Sequence, residues 1–213
     1  MRAVIFANGV LSHPSQVHDL LRPGDYLIAA DGGARHCLAL GLRPHLALGD
    51  FDSLTPDLLG RLQSAGVPLR RYPPAKDETD LELALLAARE AGADQVLILG
   101  ALGGRWDMTL GNILLLAHPD FWDLRISLVD GPQEIWPIPA GQPQEIRGLP
   151  GDTVSLIPLG GDAEGVTTRG LQYALSEGRL RFGAARGVSN VLLESPAQVF
   201  VRKGLVVCIL IHR

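Results

Sequence analysis

Over roughly the first 130 residues, short apolar runs recur and each stops abruptly on glycine or a polar residue. Ala3 to Ala7 stops at Asn8-Gly9, Tyr26 to Ala30 at Asp31-Gly32-Gly33, Leu46 to Leu48 at Gly49-Asp50-Phe51-Asp52-Ser53, Val96 to Leu99 at Gly100, and Leu124 to Val129 at Asp130-Gly131. Runs without polar alternation read as strands buried on both faces. Helical spacing fills the intervals. Pro14 to Leu21 places Val17, Leu20 and Leu21 on one side, Ala34 to Leu40 is closed by Gly41, and Thr55-Pro56 opens a segment that Gly66 ends. Val67 to Tyr72 reads as a further strand. Leu81, Ala84, Leu85 and Ala88 follow the i, i+3, i+4, i+7 pattern behind a Thr79/Glu82 capping box, and a last helix runs from about Met108 to Ala117. Strands alternating with helices predict a mostly parallel sheet, doubly wound.

After Pro132 this alternation ends. Ile135-Trp136, Thr153 to Ile157, Gly165 to Thr168, Leu171 to Leu175, Val188 to Leu193, Gln198 to Arg202 and Leu205 to Ile211 are β-prone runs separated by Gly, Pro, Asp and Ser. They predict a small antiparallel sandwich or barrel. The expected division is therefore an α/β domain over 1–132 and an all-β domain, sandwich or barrel, over 133–213.

Composition narrows the partners. Only Lys76 and Lys203 among the 19 basic side chains are lysines, and the net charge of −4 provides no basic field for nucleic acid or an anionic membrane. The longest uncharged apolar stretches, such as Leu205 to Ile211, fall well short of the ~20 residues a bilayer-spanning helix needs. The N-terminal run breaks at Asn8-Gly9 before signal-peptide length. Cys37 and Cys208 lie far apart in apolar runs, which predicts buried thiols in a reducing, cytoplasmic compartment.

Asp31, Asp50, Asp52, Asp80 and Asp107 all fall at strand ends or in the loop or first helical turn beyond. In open α/β sheets that edge binds ligands. Carboxylates gathered there repel one another unless a cation intervenes, and hard oxygen ligands suit Mg²⁺ shared with a phosphate compound. Arg105, beside Gly103 and Gly104, adds a planar donor suited to phosphate oxygens, and Gly32-Gly33 can form a second backbone nest. Each residue also has a plain structural alternative: Asp80 as a helix-terminal acid, Asp107 as an N-cap, Arg105 as a surface ion-pair partner, Ser189-Asn190 as polar strand residues and Tyr173 as a half-buried ring. Neither a P-loop lysine nor a G-x-G-x-x-G follows the first strand, and no nucleophile triad or zinc set stands out. Asp50 as a phosphatase nucleophile, or a non-catalytic Mg·ATP sensor, remain open on these residues alone.

Ala30-Asp31-Gly32-Gly33-Ala34, Gly49-Asp50-Phe51-Asp52-Ser53, Lys76-Asp77-Glu78-Thr79-Asp80, Gly103-Gly104-Arg105-Trp106-Asp107 and Gly187-Val188-Ser189-Asn190, in this order, resemble the thiamine pyrophosphokinase family over nearly the whole chain. The resemblance implies transfer of a pyrophosphoryl group from ATP to the hydroxyl of thiamine, leaving AMP, in a homodimer whose active sites lie at the subunit interface. It further implies that Asp50, Asp52 and Asp80 hold Mg²⁺, and that Arg105 and Asp107 complete the phosphate end with Gly103 and Gly104. Asp31, Gly32 and Gly33 then lie on the nucleotide side, and Lys76, Asp77, Tyr173, Ser189 and Asn190 on the substrate side. Asp80 and Asp107 are the two carboxylates considered as acceptors of the hydroxyl proton. Tyr173 stands where some members have tryptophan, Met108 where many have histidine, and Ser189 lacks the Ser-Thr that often precedes it. These departures bear on the thiamine pocket, and a pyrophosphokinase for another alcohol, such as a hydroxymethylpterin, is the near alternative.

Overall fold

The computed structural model describes residues 1–213, which divide into two compact units, Met1–Gly131 and Pro132–Arg213. In the first, β1 (Arg2–Phe6), α1 (Val17–Leu20), β2 (Tyr26–Ala30), α2 (Ala34–Ala39), β3 (Leu46–Gly49), α3 (Pro56–Ser64), β4 (Leu69–Arg71), α4 (Asp80–Glu90), β5 (Gln95–Leu99), α5 (Trp106–Leu114) and β6 (Arg125–Asp130) follow one another. The strands lie in the order β6-β5-β1-β2-β3-β4, and every pairing is parallel. The chain steps outward from β1 to β4, then returns to the other side of β1 with β5. That reversal creates a crevice at the carboxyl ends of β1 and β5.

The apolar runs are buried on both faces, as their lack of alternation requires. Val4, Phe6, Leu27, Ala29 and Ala47 share a cluster with Ala34 and Cys37 of α2 and Leu62 of α3. Ile5, Ile28 and Leu48 alternate with them along the strands and are fully buried. α4 packs on β1, β2 and β3 and buries Leu81, Leu83, Ala84, Leu85, Ala87 and Ala88. Burial of one such large side chain contributes about 1.5–3 kcal/mol.

Local signals set the helix ends. The Thr55 hydroxyl accepts from the Leu58 N–H at 3.4 Å, and Thr79 accepts from the Glu82 N–H at 3.2 Å. Both are the N-caps expected. Two helices differ from expectation: Pro14 to Leu21 is a 3-10 turn followed by the single turn of α1, and α5 starts at Trp106 and ends at Leu114 before a 3-10 turn at Leu115–Ala117.

The second unit contains β7 (Gln133–Pro139), β8 (Gln144–Ile146), β9 (Thr153–Pro158), β10 (Ala163–Arg169), β11 (Gly178–Leu180), β12 (Asn190–Val191), β13 (Ala197–Phe200) and β14 (Leu205–Ile211). They form two antiparallel layers, β12-β9-β14-β7 and β11-β10-β13-β8. One core takes Ile138, Val154, Leu156, Val206, Cys208 and Leu210 from the first layer and Ile146, Ala163, Val166, Leu180, Ala197 and Val199 from the second, so the unit is a sandwich. Leu171 to Leu175, expected as a strand, is a loop. The Thr168 N–H donates to the Leu175 carbonyl at 2.9 Å and the Leu175 N–H to the Thr168 hydroxyl at 2.8 Å, folding the segment back on β10.

Candidate active site

Three of the expected carboxylates converge. One ligand oxygen each from Asp31, Asp50 and Asp52 lie within 4.8 Å of one another beyond the ends of β2 and β3. Asp31 opens a 3-10 turn after β2 with a positive φ of 46° and a side chain only 3% exposed. Its Oδ2 accepts from Asn8 Nδ2 at 3.0 Å, while its Oδ1 is buried with no partner. Gly32 and Gly33, expected as a backbone nest, are buried and closely approached. A Cβ on Gly33 would stand 1.9 Å from the Phe6 carbonyl oxygen, and one on Gly32 would stand 2.0 Å from Asn8 Oδ1.

Asp50 and Asp52 flank a tight turn. The Asp52 N–H donates to Asp50 Oδ1 at 3.1 Å, and Phe51 between them has φ +64° with its ring packed into the core. A left-handed phenylalanine is uncommon and persists only where its surroundings over-determine it. The Ser53 hydroxyl completes the arrangement: it donates to Asp52 Oδ1 at 3.1 Å and accepts from Asn8 Nδ2 at 3.0 Å.

Asp80, in the first turn of α4, is half-buried at the margin of this cluster. Burial pushes its carboxyl up, the Lys76 ammonium opposes that, and the charges of Asp31 and Asp50 reinforce it. Lys76 Nζ lies 3.1 Å from Asp80 Oδ1, an ion pair whose angles leave that buried oxygen without a hydrogen bond. Lys76, expected on the substrate side, is paired with Asp80. Asp77 is exposed.

Arg105 and Asp107 meet each other. The Arg105 guanidinium donates from Nε at 3.2 Å and from a terminal nitrogen at 2.6 Å to the two Asp107 oxygens, with both side chains mostly exposed. Arg105 holds the Asp107 carboxyl below the usual range. Gly103 and Gly104 precede them with φ of 77° and 71°, conformations that glycine adopts readily.

The site includes residues that lie outside the sequence motifs. Asn8 joins Asp31 to Ser53, and Arg35 donates to the Asn8 carbonyl at 2.9 Å. His36 Nε2 lies 3.0 Å from the Gly9 carbonyl, and burial pulls its pKa down. The signal was present in Asn8-Gly9, which breaks the first apolar run as Asp31-Gly32 breaks the second.

In the second unit, Tyr173 and Asn190 are locked by reciprocal bonds: the Tyr173 N–H donates to Asn190 Oδ1, and Asn190 Nδ2 donates to the Tyr173 carbonyl, both at 2.9 Å. The Tyr173 side chain is left 65% exposed. Ser189 has φ +60°, and its N–H donates to the Ser155 hydroxyl at 3.1 Å.

Known proteins resemble this chain in sequence and fold. Residues 17–128 match the thiamin pyrophosphokinase catalytic domain, and residues 142–206 match the thiamin pyrophosphokinase vitamin B1 binding domain. The thiamine pyrophosphokinase of Bacillus subtilis (strain 168) is 34% identical over 182 residues, 85% of either chain. A crystal structure of thiamine pyrophosphokinase from Bacillus subtilis superposes with a TM-score of 0.90 at 31% identity, over 100% of this chain and 99% of that one. One from Geobacillus thermodenitrificans gives 0.87 at 27% identity, over 99% and 97%. With a catalytic-domain match spanning more than half of its length, this chain belongs to the thiamine pyrophosphokinase family.

Proposed function

We propose that the Asp31–Asp50–Asp52 cluster is the Mg²⁺ site at which this chain carries out its family's reaction, transfer of the pyrophosphoryl group of ATP to the hydroxyl of thiamine with release of AMP. The observation that carries this is the buried, unpartnered Asp31 Oδ1 within 4.8 Å of ligand oxygens from Asp50 and Asp52. A carboxylate oxygen out of water with no donor is costly, and three hard oxygen donors from two adjacent strand ends fit Mg²⁺. When bound, the ion neutralises charge on the triphosphate. Asp31 takes the place beside Asp50 and Asp52 that the family resemblance gave to Asp80.

Asp80 is left for proton transfer. It is half-buried and pushed up, whereas Asp107 is exposed and held low by Arg105, so Asp80 is the stronger base of the two. Lys76 orients it. Arg105 and Gly103-Gly104 serve the phosphate end, and Tyr173 offers an exposed ring to a cationic thiazolium. The exposed Trp106, Leu110 and Leu114 of α5, and Tyr173, Phe182 and Leu193 of the second unit, support a homodimer with shared active sites. The buried free thiols of Cys37 and Cys208 suit the cytoplasm.

Chromatography of ATP plus thiamine with and without Mg²⁺ tests this directly. AMP and thiamine diphosphate should appear together and only with the divalent ion. ADP, or phosphate trapped on Asp50, would overturn it.

A further inference from the structure

Phe51 separates the two aspartates of the turn, so whatever holds its ring also sets the spacing of the carboxylates. The ring is 5% exposed and packs in a cluster with Leu54 and Leu62. It is covered by a cation: the Arg71 guanidinium carbon lies 5.0 Å from the ring centroid. Arg71 ends β4, where it stands in register with Gly49, and the next N–H, of Tyr72, donates to the Gly49 carbonyl at 3.0 Å. The residue that covers the ring and the residue that opens the acidic turn are therefore fixed to one another by sheet pairing. Arg71 makes no salt bridge, although three aspartates lie beyond the neighbouring strand ends.

We propose that Arg71 is a positioning residue for the Asp50–Asp52 pair, acting through the face of Phe51; this rests on the Mg²⁺ site proposed above. Phe51 holds a disfavoured left-handed φ of 64°. Leaving it would draw the ring from beneath the guanidinium and rotate the peptides on either side, which carry Asp50 and Asp52. The guanidinium attracts the ring face electrostatically and keeps the turn in the conformation that brings the carboxylates together.

The test measures Mn²⁺ binding without nucleotide by electron paramagnetic resonance, alongside steady-state kinetics, for wild type, Arg71→Met, Arg71→Lys, Phe51→Leu and the Arg71→Met/Phe51→Leu double variant. Arg71→Met should weaken Mn²⁺ binding about three- to tenfold and lower kcat similarly, with an unchanged KM for thiamine, and Arg71→Lys should recover most of the loss. In the Phe51→Leu background, Arg71→Met should add little, because the face it acts through is gone. Wild-type Mn²⁺ affinity in Arg71→Met would overturn the role, as would additive losses in the double variant. A raised KM for ATP at unchanged Mn²⁺ affinity would also overturn it, making Arg71 a phosphate contact. A wild type that binds no Mn²⁺ would remove the metal site and this role with it.

Discussion

Asn8 Nδ2 donates to Oδ2 of Asp31 at 3.0 Å, and the other oxygen of that carboxylate is left buried and unpartnered. The single bond fixes which edge of Asp31 faces its neighbours. Asn8→Ala should cut turnover about tenfold or more by releasing that orientation, since small misplacements of positioned groups cost on this scale. Asp31→Asn should abolish Mn²⁺ binding yet leave the thermal midpoint unchanged or raised, because it removes a buried charge crowded by two others. Steady-state kinetics of Asn8→Ala, and calorimetric melting with metal titration of Asp31→Asn, check the two expectations.

Asp52 is exposed and its bonds are local, so its loss should spare the fold. Asp52→Ala should lose turnover about 100-fold or more with a stability change within ~0.5 kcal/mol. Asn190→Ala should disturb the Tyr173 loop and raise the KM for thiamine. If the active sites are shared between subunits, mixing Asp52→Ala with Asn190→Ala, assayed at thiamine far below the raised KM, should restore about a quarter of wild-type turnover, because half of the dimers pair one of each and carry one intact site. Mixtures that stay inactive would count against a shared site.

Gly33→Ala is expected to be far more damaging than its size implies. The new Cβ would meet the Phe6 carbonyl oxygen of β1 at 1.9 Å, and backbone cannot swing aside as a side chain can. Destabilisation of about 3 kcal/mol or more is expected by denaturant titration, with activity falling through loss of folded protein.

The second unit carries a pH-dependent clasp. Asp152, 2% exposed, accepts from the Leu149 N–H at 2.9 Å, from the Arg213 N–H at 3.2 Å and pairs with His212 Nδ1 at 2.9 Å, tying the segment before β9 to the end of β14. Burial raises its pKa, but the Leu149 N–H, His212 and the Arg213 N–H together outweigh that and hold it below the ordinary 3.8. Since the folded value is depressed, the contribution is fully present above 3.8 and is lost as pH falls through the lower folded value. Asp152→Asn should destabilise by about 1–3 kcal/mol at neutral pH and flatten the acid limb of stability. Urea midpoints measured from pH 6 to pH 2.5 read this out.

Where a signal is local, the chain could be read directly. Thr55 and Thr79 cap the helices they precede, and Asp31, Asp50 and Asp52 stand at strand ends because apolar runs stop there. The second unit was less legible. β8 and β11 are three residues each, too short for a periodic pattern, and Pro137 and Pro139 argue against a strand that nonetheless pairs with β14 along its length. Leu171 to Leu175 has strand composition, but the bonds to Thr168 draw it into a loop.

The amino-acid sequence by itself determined the alternation of strands and helices, the change of character after Pro132 and which carboxylates sit at strand ends, since burial pattern, caps and glycines act over a few residues. Only the tertiary structure decided which of them meet. The strand order brings Asn8 to Asp31 across 23 positions of chain and sets Arg71 over Phe51, while Lys76 takes Asp80 and Asp107 turns to Arg105. Those pairings depend on parallel register and on left-handed turns at Asp31 and Phe51, which packing across the sheet imposes and neither residue type favours alone.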